Sequence, residues 1–259
     1  MKFIFFKYQG TGNDFIIIDN RKKTVNLNSK QIALICHRKF GIGADGLMLL
    51  ENHQEFDFNM RYFNSDGKEA SMCGNGGRCL VAFAKSMHMI KNKTRFNTFD
   101  GVHEALIKDN NIITLRMQDV SAIKKTDGFY FLDTGSPHYV KFSKNVKEID
   151  VYSEGQKIRF SKNFSPDGTN VNFVEMVNDK LFVRTYERGV ENETLSCGTG
   201  VTASAICASI ELNTDKNSFD IITPGGNLNV SYKKQPNNLF TDIWLTGPAK
   251  FVFKGEYEI

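Results

Sequence analysis

One short pattern occurs twice in this chain and constrains it more than any other feature. Arg61-Tyr62-Phe63-Asn64 precedes Cys73-Gly74-Asn75-Gly76, and Arg184-Thr185-Tyr186-Glu187 precedes Cys197-Gly198-Thr199-Gly200. Each copy reads as a strand, a polar loop, a Cys-Gly-x-Gly turn and an apolar helix. A second echo sets Gly10-Thr11-Gly12-Asn13-Asp14-Phe15 beside Gly168-Thr169-Asn170-Val171-Asn172-Phe173. Repetition of such units in the same order points to two similar domains, each giving one cysteine. The length of 259 residues accommodates them and buries a full core without staples.

Strand patterns dominate: Lys2–Tyr8, Asp14–Asp19, Asp57–Phe63, Val102–Lys108 and Ile112–Met117 alternate or run apolar between turn residues. The second half adds Tyr139–Phe142, Val171–Val177 and Leu181–Tyr186, and the tail returns to short strands ending at Phe251–Phe253. Three helical patterns stand out, at Lys30–Phe40, Gly74–Ile90 and Gly198–Leu212. The first follows Asn28, which with Gln31 has the form of a capping box.

A cysteine at the start of a helix meets free backbone N–H groups and the positive end of the helix dipole. Both favour thiolate and bring a thiol pKa from about 8.5 towards ~3.5–7.5. The glycines that follow let the backbone approach a ligand, and their N–H groups suit a carboxylate. Two such thiols make an acid–base pair: one removes a proton from carbon and the other returns one to the opposite face. Burial in the core is the ordinary fate of a cysteine, and it accounts for Cys36, Cys79 and Cys207 inside apolar helical patterns. Cys73 and Cys197 are flanked by glycine and recur in the repeated context.

Other classes fit poorly. Cys73 and Cys79 lack zinc-pair spacing and the five histidines are scattered, so no metal is expected. Gly41-Ile42-Gly43-Ala44-Asp45-Gly46 matches a dinucleotide fingerprint literally, but a helical pattern precedes it and a strand follows, the reverse of what that fold needs. No cofactor is expected. Net charge is +4 with no basic run beyond Arg21-Lys22-Lys23, which argues against nucleic acid. The apolar run after Met1 stops short of a signal peptide, and nothing approaches the ~20 residues of a membrane span. The expectation is a cytoplasmic protein with reduced thiols.

The motifs GTGNDF (Gly10–Phe15), FNSDGKEASMCGNGGRC (Phe63–Cys79), YERG (Tyr186–Gly189) and SCGTG (Ser196–Gly200), in this order and spacing, resemble the diaminopimelate epimerases nearly end to end. The resemblance implies an α/β fold of two pseudo-symmetric domains, each a mixed β-sheet or barrel wrapped around a central helix, with the active site in the cleft between them. It implies a first domain over residues 1–118, joined by a returning strand at about 249–259, and a second over 119–248. It implies interconversion of LL- and meso-2,6-diaminopimelate, in lysine and peptidoglycan precursor synthesis, by a homodimer. Cys73 and Cys197 are then the acid and base. Asn13, Asn64 and Asn170 hydrogen-bond the substrate, Glu187 and Arg188 pair with an ammonium and a carboxylate, and the amides of Gly74, Asn75, Gly198 and Thr199 hold the reacting carboxylate. Two departures stand out: Gly46, where some members carry Gln, and Ser136-Pro137-His138, where Asn-Pro-His is common.

A proline or hydroxyproline racemase of the same fold is the nearest rival. Glu187, Arg188 and the asparagines favour a substrate with more charged groups than proline has. A redox switch, with Cys73 and Cys197 forming a disulfide, is the reading from another class.

Overall fold

Ile16-Ile17-Ile18 and Leu47-Met48-Leu49-Leu50 are unbroken apolar runs, which suits strands covered on both faces. The computed structural model describes residues 1–108 and 111–259. It places these runs in β2 and β3 of the first of two compact units, Met1–Leu115 with Gly247–Ile259. That unit contains β1 (Lys2–Gly10), β2 (Asn13–Asp19), α1 (Ser29–Cys36), β3 (Gly46–Glu51), β4 (Phe58–Asn64), β5 (Glu69–Ala70), α2 (Gly74–Ser86), β6 (Lys93–Thr98), β7 (Gly101–Ile107) and β8 (Ile112–Arg116) up to Leu115. The chain's final strand, Lys250–Glu258, pairs antiparallel with β1. Ile16, Ile18, Leu47 and Leu49 pack with Ile32 and Ile35 of α1. On the other face a Cβ added to Gly76 of α2 would touch Phe15 and Met48 at 3.4 Å. Residues Gly74–Ala84 of α2 are all buried, so this helix is the centre of the unit's core.

The second unit, Arg116–Thr246, contains β9 (Ile123–Thr126), β10 (Phe129–Asp133), β11 (Pro137–Phe142), α3 (Val151–Arg159), β12 (Asn170–Val177), β13 (Lys180–Glu187), β14 (Asn192–Thr194), α4 (Gly198–Glu211), β15 (Ser218–Thr223), β16 (Gly226–Gln235) and β17 (Leu239–Pro248) up to Thr246. Its central helix, α4, touches β10 to β13, β15 and β16. The strands Val171, Phe173 and Tyr186 belong to also hold Val151 of α3 in a second apolar cluster.

The pairing order is the same in both units. β2 runs parallel to β3 and β3 antiparallel to β4; β11 runs parallel to β12 and β12 antiparallel to β13. β4 runs parallel to β6, as β13 does to β15. Register then fixes equivalent residues. Phe15 lies opposite Gly46, and His138 opposite Asn170; Leu47 lies opposite Phe63, and Val171 opposite Tyr186. Asn13 therefore corresponds to Ser136, Gly46 to Asn170, Asn64 to Glu187 and Cys73 to Cys197. The ion pairs follow the repeat, with Arg61 to Glu69 at 2.9 Å and Arg184 to Glu193 at 2.7 Å.

This register corrects the second echo. Gly168–Phe173 leads into β12, the counterpart of β3, whereas Gly10–Phe15 leads into β2. The true counterpart of Thr11-Gly12-Asn13 is Thr134-Gly135-Ser136, hidden because Pro137 and His138 replace Asp14 and Phe15. Helix α1 also stops at Cys36 rather than Phe40, because the Ile42, Gly43 and Ala44 amides fold back onto the Ile35 and Cys36 carbonyls. Gly41 permits that turn, since a Cβ there would lie 2.0 Å from the Leu34 carbonyl oxygen. The Asn28–Gln31 capping box is formed.

Candidate active site

In the first unit the strand ends gather the polar residues. Asn13 opens β2, Gly46 opens β3 and Asn64 closes β4, all at one end of the sheet. β5 folds back on β4, and the chain then reaches Cys73, the N-cap of α2. The cysteine carbonyl accepts from the Gly77 amide at 2.7 Å, and its side chain does not cap the helix. The amides of Gly74 and Asn75 are thus among the N–H groups that a helix start leaves without intrahelical partners.

Asn13 is oriented from two sides. Its Nδ2 donates to Asp45 at 2.6 Å, and its Oδ1 accepts from Asn75 Nδ2 at 3.2 Å. The Cys73 Sγ lies 3.6 Å from the same Oδ1. Asp45 is tied to Arg38 at 2.7 Å, and Arg38 to Asp14, also at 2.7 Å. Asp14 is also paired with the buried Lys7 at 2.8 Å. Burial alone would raise the Asp14 carboxyl, but hydrogen bonds from Arg38 and Lys7 override it and hold it at about 2. Asn64 is exposed, with its backbone closing the turn to Gly67.

The second unit repeats the plan with different groups. Cys197 is the N-cap of α4, buried, with its carbonyl accepting from the Val201 amide at 2.9 Å. Its Sγ lies 3.4 Å from the Thr199 hydroxyl. Gly198 and Thr199 form the first turn. Gly200 keeps this space open: a Cβ there would sit 2.4 Å from Asn172 Oδ1 and 3.4 Å from the Cys197 sulfur, so the Asn172 side chain would have to shift. Glu187 closes β13 and accepts from the Thr194 hydroxyl at 2.9 Å, three residues before Cys197. Asn170 is buried; its Oδ1 accepts from the Arg188 amide at 2.8 Å and its Nδ2 donates to the Ser136 hydroxyl at 2.8 Å. Asn170 therefore seats the Glu187–Arg188 turn.

Three residues at these sites escaped the sequence reading. Asp45 sat in the rejected glycine pattern, yet it fixes Asn13. Arg78 is a charge inside an apolar helical run, an anomaly that itself signals a special role. His138, one of the scattered histidines, is fully buried. Its Nδ1 lies 3.1 Å from Asn172 Nδ2, and its Nε2 has no hydrogen-bond partner among the described residues. Burial, aided by Arg188, lowers its pKa to about 3, so it is neutral at working pH. Gly46 also has a local cause: a Cβ there would lie 2.6 Å from the Tyr62 ring and 2.7 Å from the Phe63 carbonyl oxygen. Tyr62 fills the space that any side chain at this position would need.

The remaining thiols are inert. Burial pushes Cys36 and Cys79 up to about 12 and Cys207 well above its ordinary value, and all five cysteines are free. Among the described residues no group of three His, Cys, Asp or Glu side chains is arranged to hold a metal ion. No helix among them is long and apolar enough to cross a membrane.

Known proteins match this arrangement over the whole chain. A diaminopimelate epimerase from Flavobacterium psychrophilum is 54% identical, covering 96% of this chain and 98% of its own. One from Chlorobaculum tepidum is 42% identical, covering 95% and 98%. Among solved structures, a phenazine biosynthesis protein of the PhzF family from Bacillus anthracis superposes with a TM-score of 0.81 at 15% identity, each chain fully covered. A hydroxyproline epimerase from Agrobacterium vitis superposes with a TM-score of 0.72 at 14% identity, covering 98% and 92%. These two share the fold alone, a two-domain α/β architecture of mixed sheets. The model of the diaminopimelate epimerase family matches residues 5–123 and 130–252, and with the close relatives it decides the matter: the chain belongs to the diaminopimelate epimerase family.

Proposed function

We propose that this chain is an isomerase that interconverts LL- and meso-2,6-diaminopimelate without a cofactor, with Cys73 and Cys197 as its acid and base. The carrying observation is the 54% identity, over 96% of the chain, to a protein named diaminopimelate epimerase. The paired helix starts support the mechanism. One sulfur, as thiolate, takes the α-proton. The electron pair left on carbon spreads into the carboxylate, which the amides of Gly74, Asn75, Gly198 and Thr199 stabilise. The other cysteine, as thiol, gives its proton to the opposite face. The sulfurs end with exchanged protonation states, which water resets. Inversion requires both sulfurs to reach one carbon.

Glu187 pairs with a substrate ammonium and Arg188 with a carboxylate, for which its planar fork is suited. Asn13, Asn64 and Asn170 hydrogen-bond the amino and carboxylate ends. Each compact unit acts as one epimerase domain. The enzyme works as a cytoplasmic homodimer supplying lysine and peptidoglycan precursors; light scattering giving the mass of one chain would remove the dimer from this reading.

Cys73→Ala and Cys197→Ala each test the mechanism. Turnover of LL-diaminopimelate is expected to fall roughly 10²–10⁴-fold in each, the range for a lost general acid or base. Thermal melts are expected to stay close to wild type. Full activity in either variant overturns the two-cysteine reading, and faster turnover of proline than of diaminopimelate overturns the substrate.

A further inference from the structure

The two repeats differ at the fifth position after each cysteine. In α4 it is Thr202, whose hydroxyl donates to the Gly198 carbonyl at 2.9 Å. In α2 it is Arg78, fully buried, whose Nη1 donates to the equivalent Gly74 carbonyl at 3.3 Å. Nη2 donates to Asn75 Oδ1 at 2.9 Å and to the Thr11 hydroxyl at 3.3 Å, and Nε has no hydrogen-bond partner among the described residues. Gly10 makes room for this head group, since a Cβ there would already lie 3.3 Å from Nη2.

No carboxylate pairs with Arg78 among the described residues, so every bond it makes is to a neutral oxygen. A buried guanidinium without an anion is costly, and the group stays charged. Two thiols lie within its field, Cys79 and Cys73. Cys79 is fully buried and stays protonated, because burial outweighs the attraction of Arg78. The other, Cys73, is half-buried at the helix start.

We propose that Arg78 is a positioning residue that stabilises the thiolate of Cys73 selectively, making the two catalytic sulfurs unequal. This rests on the reading of Cys73 and Cys197 as the acid–base pair. Around Cys73, α2 contributes Arg78 and the neutral Cys79. β2 contributes the Asn13 carbonyl oxygen and Asp14, whose network with Lys7, Arg38 and Asp45 holds equal numbers of acids and bases. The loop before β7 contributes Asp100, which accepts from the Met72 amide at 3.0 Å and lies 3.5 Å from His103. Asn13 Oδ1 and Asp100 oppose a thiolate. Asn13 already accepts from Asn75 and Asp100 from Thr98 and Met72, whereas the charge of Arg78 is uncompensated. Around Cys197 the second unit offers the Thr199 hydroxyl, the neutral His138, Asn172, and the pair Glu187 and Arg188 on the half-buried turn. No fully buried cation underlies that helix start among the described residues.

The test is alkylation by iodoacetamide as a function of pH, with peptide mass spectrometry reading Cys73 and Cys197 separately in full-length protein. In wild type, Cys73 is expected to be alkylated with the lower pH midpoint. In Arg78→Gln its midpoint is expected to rise by about half a pH unit or more, the effect of removing a buried charge whose Nη1 bonds the Gly74 carbonyl next to Cys73. The Cys197 midpoint is expected to stay in place, and Arg78→Lys to restore most of the shift at Cys73. A wild-type Cys73 midpoint above that of Cys197 overturns the proposal even if Arg78→Gln does not fold. So does a folded Arg78→Gln protein with an unmoved Cys73. Either result leaves the acid–base reading standing if wild type turns over diaminopimelate and alkylation of Cys73 abolishes turnover; retained turnover after that alkylation defeats the acid–base reading instead.

Discussion

Asp14 carries much of the electrostatic load beside the first cysteine. Its carboxyl is held at about 2, below the ~3.9 of an unfolded chain. A depressed carboxylate adds stability that is fully present above about pH 4 and is lost as pH falls through 2, worth about 2 kcal/mol for a shift of this size. Urea unfolding between pH 6 and 2 is expected to show that loss in wild type. Asp14→Asn is expected to be less stable throughout, by about 3–5 kcal/mol, because it strands the buried Lys7. Equal stability of the two proteins at pH 6 counts against the pair. Gly46→Ala is expected to cost about 1–3 kcal/mol, since its Cβ meets the Tyr62 ring and a carbonyl oxygen; an unchanged melting temperature contradicts that. At this scale the cysteines were legible because glycine flanks them and because the pattern repeats. Asp45 and Arg78 were not, since their importance comes from which amide each one fixes, and sequence spacing does not encode that.

Helices α2 and α4 are the elements on which the account depends. Both are buried nearly all round, and both begin at a cysteine. Ile206 is fully buried in α4, so Ile206→Ala is expected to cost about 2–5 kcal/mol through lost burial and a cavity. Gly200→Ala is expected to behave differently: its Cβ intrudes on Asn172 Oδ1 and the Cys197 sulfur, so activity should fall further than stability. A variant that loses stability but keeps wild-type turnover contradicts this placement. Both helices were visible as apolar runs after glycine. Helix α3 was not, because the segment is polar overall: only Val151 and Gly155 are buried, with Ile158 partly buried against the same cluster. Gly155 is there for contact, since a Cβ would lie 2.3 Å from Tyr186 Cβ. The strand echo around Asn13 was misassigned because short glycine-rich strings match by composition, whereas register depends on hydrogen bonding between strands.

At the scale of the whole molecule, one supersecondary plan is used twice and its chemistry is varied at matching positions. Asn64 is answered by Glu187, Gly46 by Asn170, Asn13 by Ser136 and Arg78 by Thr202. A nearly symmetric scaffold suits a reaction whose two directions are near mirror images, while the differences suit a substrate with distinct ends. The duplication itself was legible because the Cys-Gly-x-Gly turns kept their sequence. The most direct measurement is turnover of LL-diaminopimelate in D₂O, with NMR and mass spectrometry following the α-position at early times. Two sulfurs on opposite faces predict meso product carrying one deuterium at the inverted carbon while the remaining LL substrate stays unlabelled. Deuterium entering the LL pool as fast as the product, or meso product with no deuterium, would contradict the two-cysteine account.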